Sequence, residues 1–263
     1  MRARILASAA LTLALTGCTN QGSTGAPSRP ASSAPVTSPA ATGSPSPTLG
    51  PVVSPSTGPV LTGPCANDYL PVVDGASWVY LRTAAGRRTT IHQSIESISG
   101  TGFTVRQRLK GGGERDAWIC SSAGLANIEQ AVPGTTQFHE VSTVGVTVPA
   151  SVHPGSSWKQ VVRSTTRFEV GGVSYPETQV VTTVSRAVGE ETVSTAAGVF
   201  EALKVQMRST THKTAPTFGS GIDQRTTSAI TEWWVAGVGV VRRIVDTGSG
   251  FPTTIELVRY RIP

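Results

Sequence analysis

The sequence predicts an all-β fold: a strongly twisted antiparallel sheet or half-barrel with a faint internal duplication. Three observations point there. After Cys65 helical periodicity is almost absent, while runs alternating apolar and polar residues recur, and a period of two marks a half-buried strand. The runs are rich in Val, Thr, Ile and aromatics, residue types that suit a pleated surface. The Gly-, Pro- and Ser-containing links between them are short, whereas a parallel crossover needs about a dozen residues.

The chain opens with Arg2 and Arg4, an apolar stretch from Ile5 to Leu15, and then Leu15-Thr16-Gly17-Cys18. The apolar part is shorter than the ~20 residues that span a bilayer, which fits an export signal over residues 1–17. Small residues before a cysteine expose the backbone to a signal peptidase, and the thiol supplies a nucleophile for lipid attachment. The stretch resembles the lipobox of bacterial lipoproteins. The resemblance implies diacylglyceryl transfer to Cys18, cleavage after Gly17 and retention on the extracytoplasmic side of the cell membrane. More than one acyl chain is needed for stable anchoring.

Residues 18–64 comprise that cysteine and a spacer in which Pro, Ser, Thr, Gly and Ala account for 37 of the 46 positions from Thr19 to Pro64. Too little apolar surface is present to offset the entropy of ordering, so the spacer is expected to be disordered, with a reach of about 140 Å. With Cys18 assigned to lipid, Cys65 and Cys120 remain as an even pair in the domain, and outside the cytoplasm pairing is the default. A bridge between them stabilises the domain by about 4 kcal/mol in the chain-entropy model. No histidine lies near them at ligand spacing, which argues against a metal site.

Residues 65–263 read as one β domain with halves 65–148 and 149–263. Phe103, Val105, Gln107 and Leu109 alternate with Thr104, Arg106, Arg108 and Lys110. Trp158, Val162, Phe168 and Val170 share one parity, with Lys159, Arg163, Arg167 and Glu169 on the other. Lys110-Gly111-Gly112-Gly113 reads as a tight link between two strands, since glycine accepts positive φ without strain. The last strand is mixed, with Glu256, Val258, Tyr260 and Ile262 against Leu257, Arg259 and Arg261.

The duplication rests on two pairs of matches. Gly75-Ala76-Ser77-Trp78 recurs as Gly155-Ser156-Ser157-Trp158, and Trp118 followed six residues on by Gly124 parallels Trp233 followed by Gly239 at the same offset. Gly75 and Gly155 are each expected to start a turn, and the tryptophan that follows to supply a large packing surface where the strand enters the core. The unequal spacing of the two pairs predicts an insertion in the second half taking in Phe168 to Thr195.

Leu70-Pro71 with Gly75-Ala76-Ser77-Trp78-Val79-Tyr80, Glu191-Thr192-Val193 with Ala197-Gly198-Val199-Phe200-Glu201-Ala202-Leu203-Lys204-Val205, and Trp234-Val235-Ala236-Gly237-Val238-Gly239-Val240-Val241-Arg242 together resemble a family of uncharacterised bacterial exported lipoproteins. The resemblance implies a curved antiparallel sheet similar to the half-barrels of lipoprotein and lipid carriers, whose concave face holds an acyl chain.

The formal charge is +6, with pI near 9.7, but three of the 22 basic residues (Arg2, Arg4 and Arg29) precede Cys65, leaving 19 against 16 acidic ones in the domain. Without a Lys/Arg run or an aromatic-basic signature this excess gives no reason to expect nucleic acid as a partner. His92, His139, His153 and His212 are scattered, and metal-ligand spacings, a Gly-x-Ser-x-Gly elbow and a phosphate-binding loop are all missing. No cofactor, metal or catalytic residue is therefore expected. Glu190-Glu191 reads as a solvated hairpin flank, and the basic rows Arg106/Arg108/Lys110 and Lys159/Arg163/Arg167 as the solvated face of a sheet, with anionic headgroups or wall polymers as the alternative partners. The expected function is a membrane-anchored, non-enzymatic binding module for an apolar or amphiphilic ligand. The alternatives are a structural or interaction protein of the cell envelope and, third, an envelope enzyme. A concave face filled by its own tryptophans, Phe200 and Leu203 would argue against carriage.

Overall fold

The computed structural model describes residues 63–110, 112–128, 138–170, 173–216 and 221–263. The export signal, Cys18 and the spacer up to residue 62 lie outside the described residues, as does Gly111. Every regular element among the described residues is a strand. The first seven are β1 (Ser77–Ala84), β2 (Arg87–Glu96), β3 (Gly102–Leu109), β4 (Gly112–Ser121), β5 (Gly124–Asn127), β6 (Phe138–Gly145) and β7 (Val148–Pro149). The remainder are β8 (Ser157–Val170), β9 (Val173–Thr195), β10 (Gly198–Ala215), β11 (Ile222–Val235), β12 (Gly239–Asp246) and β13 (Thr253–Arg261).

All thirteen belong to one antiparallel sheet in the order β6-β8-β9-β10-β11-β12-β13-β1-β2-β3-β4-β5-β7. The duplication appears in this order as two meanders, β1 to β5 and β8 to β12, each followed by one more strand on its last member (β7 on β5, β13 on β12). The strands at the two ends of the ladder, β6 and β7, are consecutive in the chain and separated only by Val146 and Thr147. The sheet therefore curls until its ends meet on one stretch of backbone, without closing into a barrel.

The expected insertion in the second half takes a different form. No extra element is added; instead β8, β9, β10 and β11 run to 14, 23, 18 and 14 residues, against 8, 10, 8 and 10 for β1 to β4. Lengthening paired strands together keeps every backbone N–H and C=O in the ladder, which an unpaired loop of that size would not.

Four register shifts occur among the described residues, one in β6 between Phe138 and Glu140 and three that each leave an extra residue on β9, β12 or β13. Val79 pairs with Arg259 and Tyr80 with Leu257, so Val258 is an extra residue, and Tyr260 and Leu257 come to lie opposite the inward Trp78 and Tyr80. That explains the mixed pattern of the final strand, because an extra residue reverses which parity faces the core. Val241 is the extra residue between the pairs Trp233/Arg242 and Trp234/Val240, and Val188 between Lys204/Gly189 and Val205/Ala187.

The main core lies at the end of the sheet where the chain enters and leaves. Trp78, Tyr80, Ile91, Ile95, Phe103, Leu125, Phe200, Leu203, Trp234, Val241 and Leu257 are all buried there. The segment before β1 lies against this end. Cys65 is disulfide-bonded to Cys120 of β4, with Cα atoms 4.9 Å apart. The Asn67 side chain donates to Pro149 O (2.8 Å) and accepts from the backbone N–H groups of Tyr69 and Leu70. Gly237 N–H donates to Asp68 O at 2.7 Å.

Candidate ligand-binding site

Because successive residues of a strand face opposite ways, the inward parity of each strand builds the concave face. On β2 it is Ile91, Gln93 and Ile95; on β3, Phe103, Val105 and Gln107; on β4, Asp116, Trp118 and Cys120. On β9 and β10 the same parity presents hydroxyls: Thr183 and Ser185, then Ser209 and Thr211. All of these except Ile91, Ile95, Phe103 and Cys120, which pack in the core, surround a cavity of about 390 Å³ between the two halves together with Glu232, Trp234 and Arg243. That volume falls in the usual range of about 300–1,000 Å³ for small-molecule sites. Tyr69, Leu70 and Trp78 line it near the buried core, and Thr211, Ile230 and Val245 line it toward the edge that carries the β10–β11 and β12–β13 links.

The tryptophans singled out by the duplication stitch the halves together. Trp78 Nε1 donates to Val238 O at 2.6 Å, from the first half to the turn before β12. Trp158 Nε1 donates to Thr147 O at 3.0 Å, from the second half back to the first. Trp158 and Trp234 rings lie 5.7 Å apart, and Tyr69 lies 5.8 Å from Trp234. The four matching glycines all have positive φ: Gly75 +77°, Gly124 +131°, Gly155 +91° and Gly239 +106°. At Gly124 a side chain is also sterically excluded, since a Cβ would sit 2.2 Å from Val148 O.

One part of the sequence equivalence is out of register. Trp118 lines the cavity, whereas Trp233, one residue before the cavity-lining Trp234, faces away from it. The β4–β5 turn holds two residues and the β11–β12 turn three, so equal offsets of six place the tryptophans on opposite faces. By strand pairing from the turns, Glu232 takes the place of Trp118. Trp233 instead sits under Lys204 and Arg242, 5.4 and 5.7 Å from its ring, and donates Nε1–H to Glu191 at 2.5 Å. Glu191 is thus more than a solvated flank: the hydrogen bonds from Trp233 and Lys204 hold its carboxyl below the usual range.

Polar groups converge on one side of the cavity. Glu232 is buried, and its carboxylate accepts from Arg243 Nε and, at 2.6 Å, from Trp234 Nε1. Arg243 nonetheless keeps 41% of its side-chain surface accessible, because it borders the cavity. The charge of Glu232 raises its pKa further. Also in the wall, Asp116 Oδ2 accepts from Gln107 Nε2 at 2.5 Å, and burial pushes the Asp116 carboxyl up. Burial likewise raises the Tyr80 hydroxyl, which donates to Val240 O at 3.0 Å. The Trp118 indole N–H is shielded from solvent and has no hydrogen-bond acceptor, while its ring stacks on Phe103 at 5.6 Å. None of Gln107, Asp116, Glu232 and Arg243 was selected as a site residue from sequence. Gln107 alone carried a signal there, as a polar residue on an apolar parity.

At the meeting point of β6 and β7, Gln160 is 2% exposed. Its Nε2 donates to Asn127 O (2.9 Å), and its Oε1 accepts from the Thr147 hydroxyl (2.8 Å). Thr147 Oγ1 in turn accepts from Asn127 N–H, so side chains carry the seam that the backbone ladder leaves open. The basic rows face outward: Lys159, Arg163 and Arg167 are exposed, and Arg106 pairs with Glu96 at 3.3 Å. Phe200 and Leu203 lie in the core and not in the cavity wall. No group of three or more metal-ligating side chains occurs among the described residues.

No protein-family model and no curated protein matches the sequence. Several solved structures align with it. A protein from Bacteroides fragilis, described as exported and with a YmcC-like fold, aligns over 74% of this chain and 100% of its own at 15% identity and a TM-score of 0.47. One from Parabacteroides distasonis, described as a lipoprotein, aligns over 75% and 99% at 14% identity and a TM-score of 0.44. The hypothetical lipoprotein YmcC from Escherichia coli aligns over 70% and 84% at 12% identity and a TM-score of 0.32.

Proposed function

We propose that the protein is a lipid-anchored, extracytoplasmic binding module that holds an amphiphilic small molecule inside its curled sheet, without catalysing a reaction. The cavity carries this reading. Residues of both halves line it, it lies against a closed, disulfide-pinned end, and it combines Val105, Met207, Ile230 and Val245 with hydroxyl, amide and charged groups. A sheet serving only as an envelope scaffold gains stability by filling such a space with side chains, since unfilled volume forfeits contacts. Anchoring rests on Leu15-Thr16-Gly17-Cys18.

Native mass spectrometry of the domain purified from a bacterial envelope tests the carriage. A co-purifying amphiphile, or a rise in melting temperature on adding one, is expected; neither in a panel of bacterial lipids rules carriage out. Cys18→Ser is expected to move the protein from the membrane to the soluble fraction, and unchanged membrane retention refutes the anchor.

A further inference from the structure

We infer that the cavity selects an uncharged amphiphile with a hydroxylated head group, in preference to a fatty acid or a cationic lipid. This rests on reading the cavity as a ligand site and follows from the hydrogen-bonding capacity left open in its wall.

The charged side chains around the cavity are Asp116, Glu232 and Arg243. Both Glu232 oxygens are occupied, by Arg243 Nε and Trp234 Nε1. The two terminal amino groups of Arg243 make no hydrogen bond with the described residues, although the side chain is 41% accessible. Asp116 uses only Oδ2, for Gln107. Arg243 acts on Asp116 electrostatically, yet the two form no ion pair. The wall thus offers donors from Arg243 and one acceptor from Asp116 Oδ1, with no direct contact between Arg243 and Asp116.

Each head-group class meets this inventory differently. A carboxylate satisfies the donors but has no proton for Asp116, and it adds a third negative charge beside a single cation. A quaternary ammonium offers neither an acceptor to Arg243 nor a proton to Asp116, and it brings a second cation against the guanidinium. A hydroxyl accepts and donates at once. A head with two or more hydroxyls therefore accepts from Arg243 while donating to Asp116, without adding charge to the cavity. Thr183, Ser185, Ser209 and Thr211 extend the hydroxyl lining, and Val105, Met207, Ile230, Val240 and Val245 receive the chain.

Three probes of matched chain length separate the classes: monolaurin, laurate and dodecyltrimethylammonium, titrated at neutral pH into delipidated protein below their critical micelle concentrations, with intrinsic tryptophan fluorescence as the readout. Monolaurin is expected to bind about tenfold or more tighter than either charged probe. Asp116→Asn keeps an acceptor for Gln107 and removes the charge. It should narrow the gap between monolaurin and laurate by about tenfold, chiefly because laurate binds tighter. Either charged probe matching monolaurin in the unmodified protein overturns the inference while leaving carriage intact, and so does an unchanged monolaurin-to-laurate ratio in Asp116→Asn. Binding by none of the three, together with no lipid in native mass spectrometry, removes carriage and the inference together.

Discussion

Asp116 shows how a single side chain records a choice between stability and use. On β4 it lies between Arg115 and Ala117 in sequence and opposite Val105 across the ladder. Burial raises its pKa, and the Gln107 hydrogen bond and the Arg243 charge only partly offset this. A carboxyl whose folded pKa exceeds its unfolded value of about 3.9 stabilises most while protonated, and that contribution is lost as pH rises through the raised value. Asp116→Asn is therefore expected to make the protein more stable at neutral pH, with the gain shrinking as pH falls toward about 4, checked by urea denaturation across pH. Glu191 has the opposite sign. Trp233 and Lys204 lower its pKa, so its contribution is present above the ordinary carboxylate range and is lost as pH falls through the lowered value. Neither environment could be read from the sequence, because Trp233 and Lys204 reach Glu191 through the pairing of β9, β10 and β11, and Arg243 comes near Asp116 only through the curling of the sheet.

At the scale of elements, the repeated glycines are the part of the design most legible in the chain. Gly75 and Gly155 were picked out as turn starters before a tryptophan, Gly124 and Gly239 as the markers six residues after one, and all four have positive φ. Their surroundings differ. A Cβ at Gly155 meets nothing within 4 Å, whereas one at Gly124 would be 2.2 Å from Val148 O and 2.6 Å from Ala150 N, where β5 meets β7. Gly155→Ala is expected to lose about 1–3 kcal/mol through backbone strain alone. Gly124→Ala should lose clearly more, since the backbone it strikes is part of the seam; equal midpoint shifts in urea would contradict this. The strands that follow were also legible: the Phe103, Val105, Gln107 face points inward as its alternation required. What alternation missed were the bulges at Val188, Val241 and Val258, each visible only once the facing strand is known.

For the whole molecule, the disulfide and the seam carry the long-range order. Cys65 and Cys120 are separated by 55 residues, and their bridge fixes the entering segment against β4. Cys65→Ser/Cys120→Ser is expected to lose about 2–4 kcal/mol, with the urea midpoint of the unmodified protein falling to a similar value under reductant. A midpoint insensitive to reductant would refute a structural role for the bridge. The same loss should loosen the cavity, since Asn67, Asp68, Tyr69 and Leu70 follow Cys65 and join the wall to Pro149 and Gly237.

The sequence by itself determined the all-β class, the antiparallel connectivity, the cysteine pair and the twofold repeat of strands, because period-two alternation, short links and positive-φ glycines are local properties of the chain. It predicted a concave face but not what stands on it. Only the tertiary structure decided that Trp233 turns away from the cavity while Glu232 and Trp234 turn toward it, since one extra residue in a turn reverses every side chain beyond it. Only the curling of thirteen strands brought Asp116 and Arg243, 127 positions apart, to one cavity, an arrangement set by pairing between distant strands and written in no local pattern.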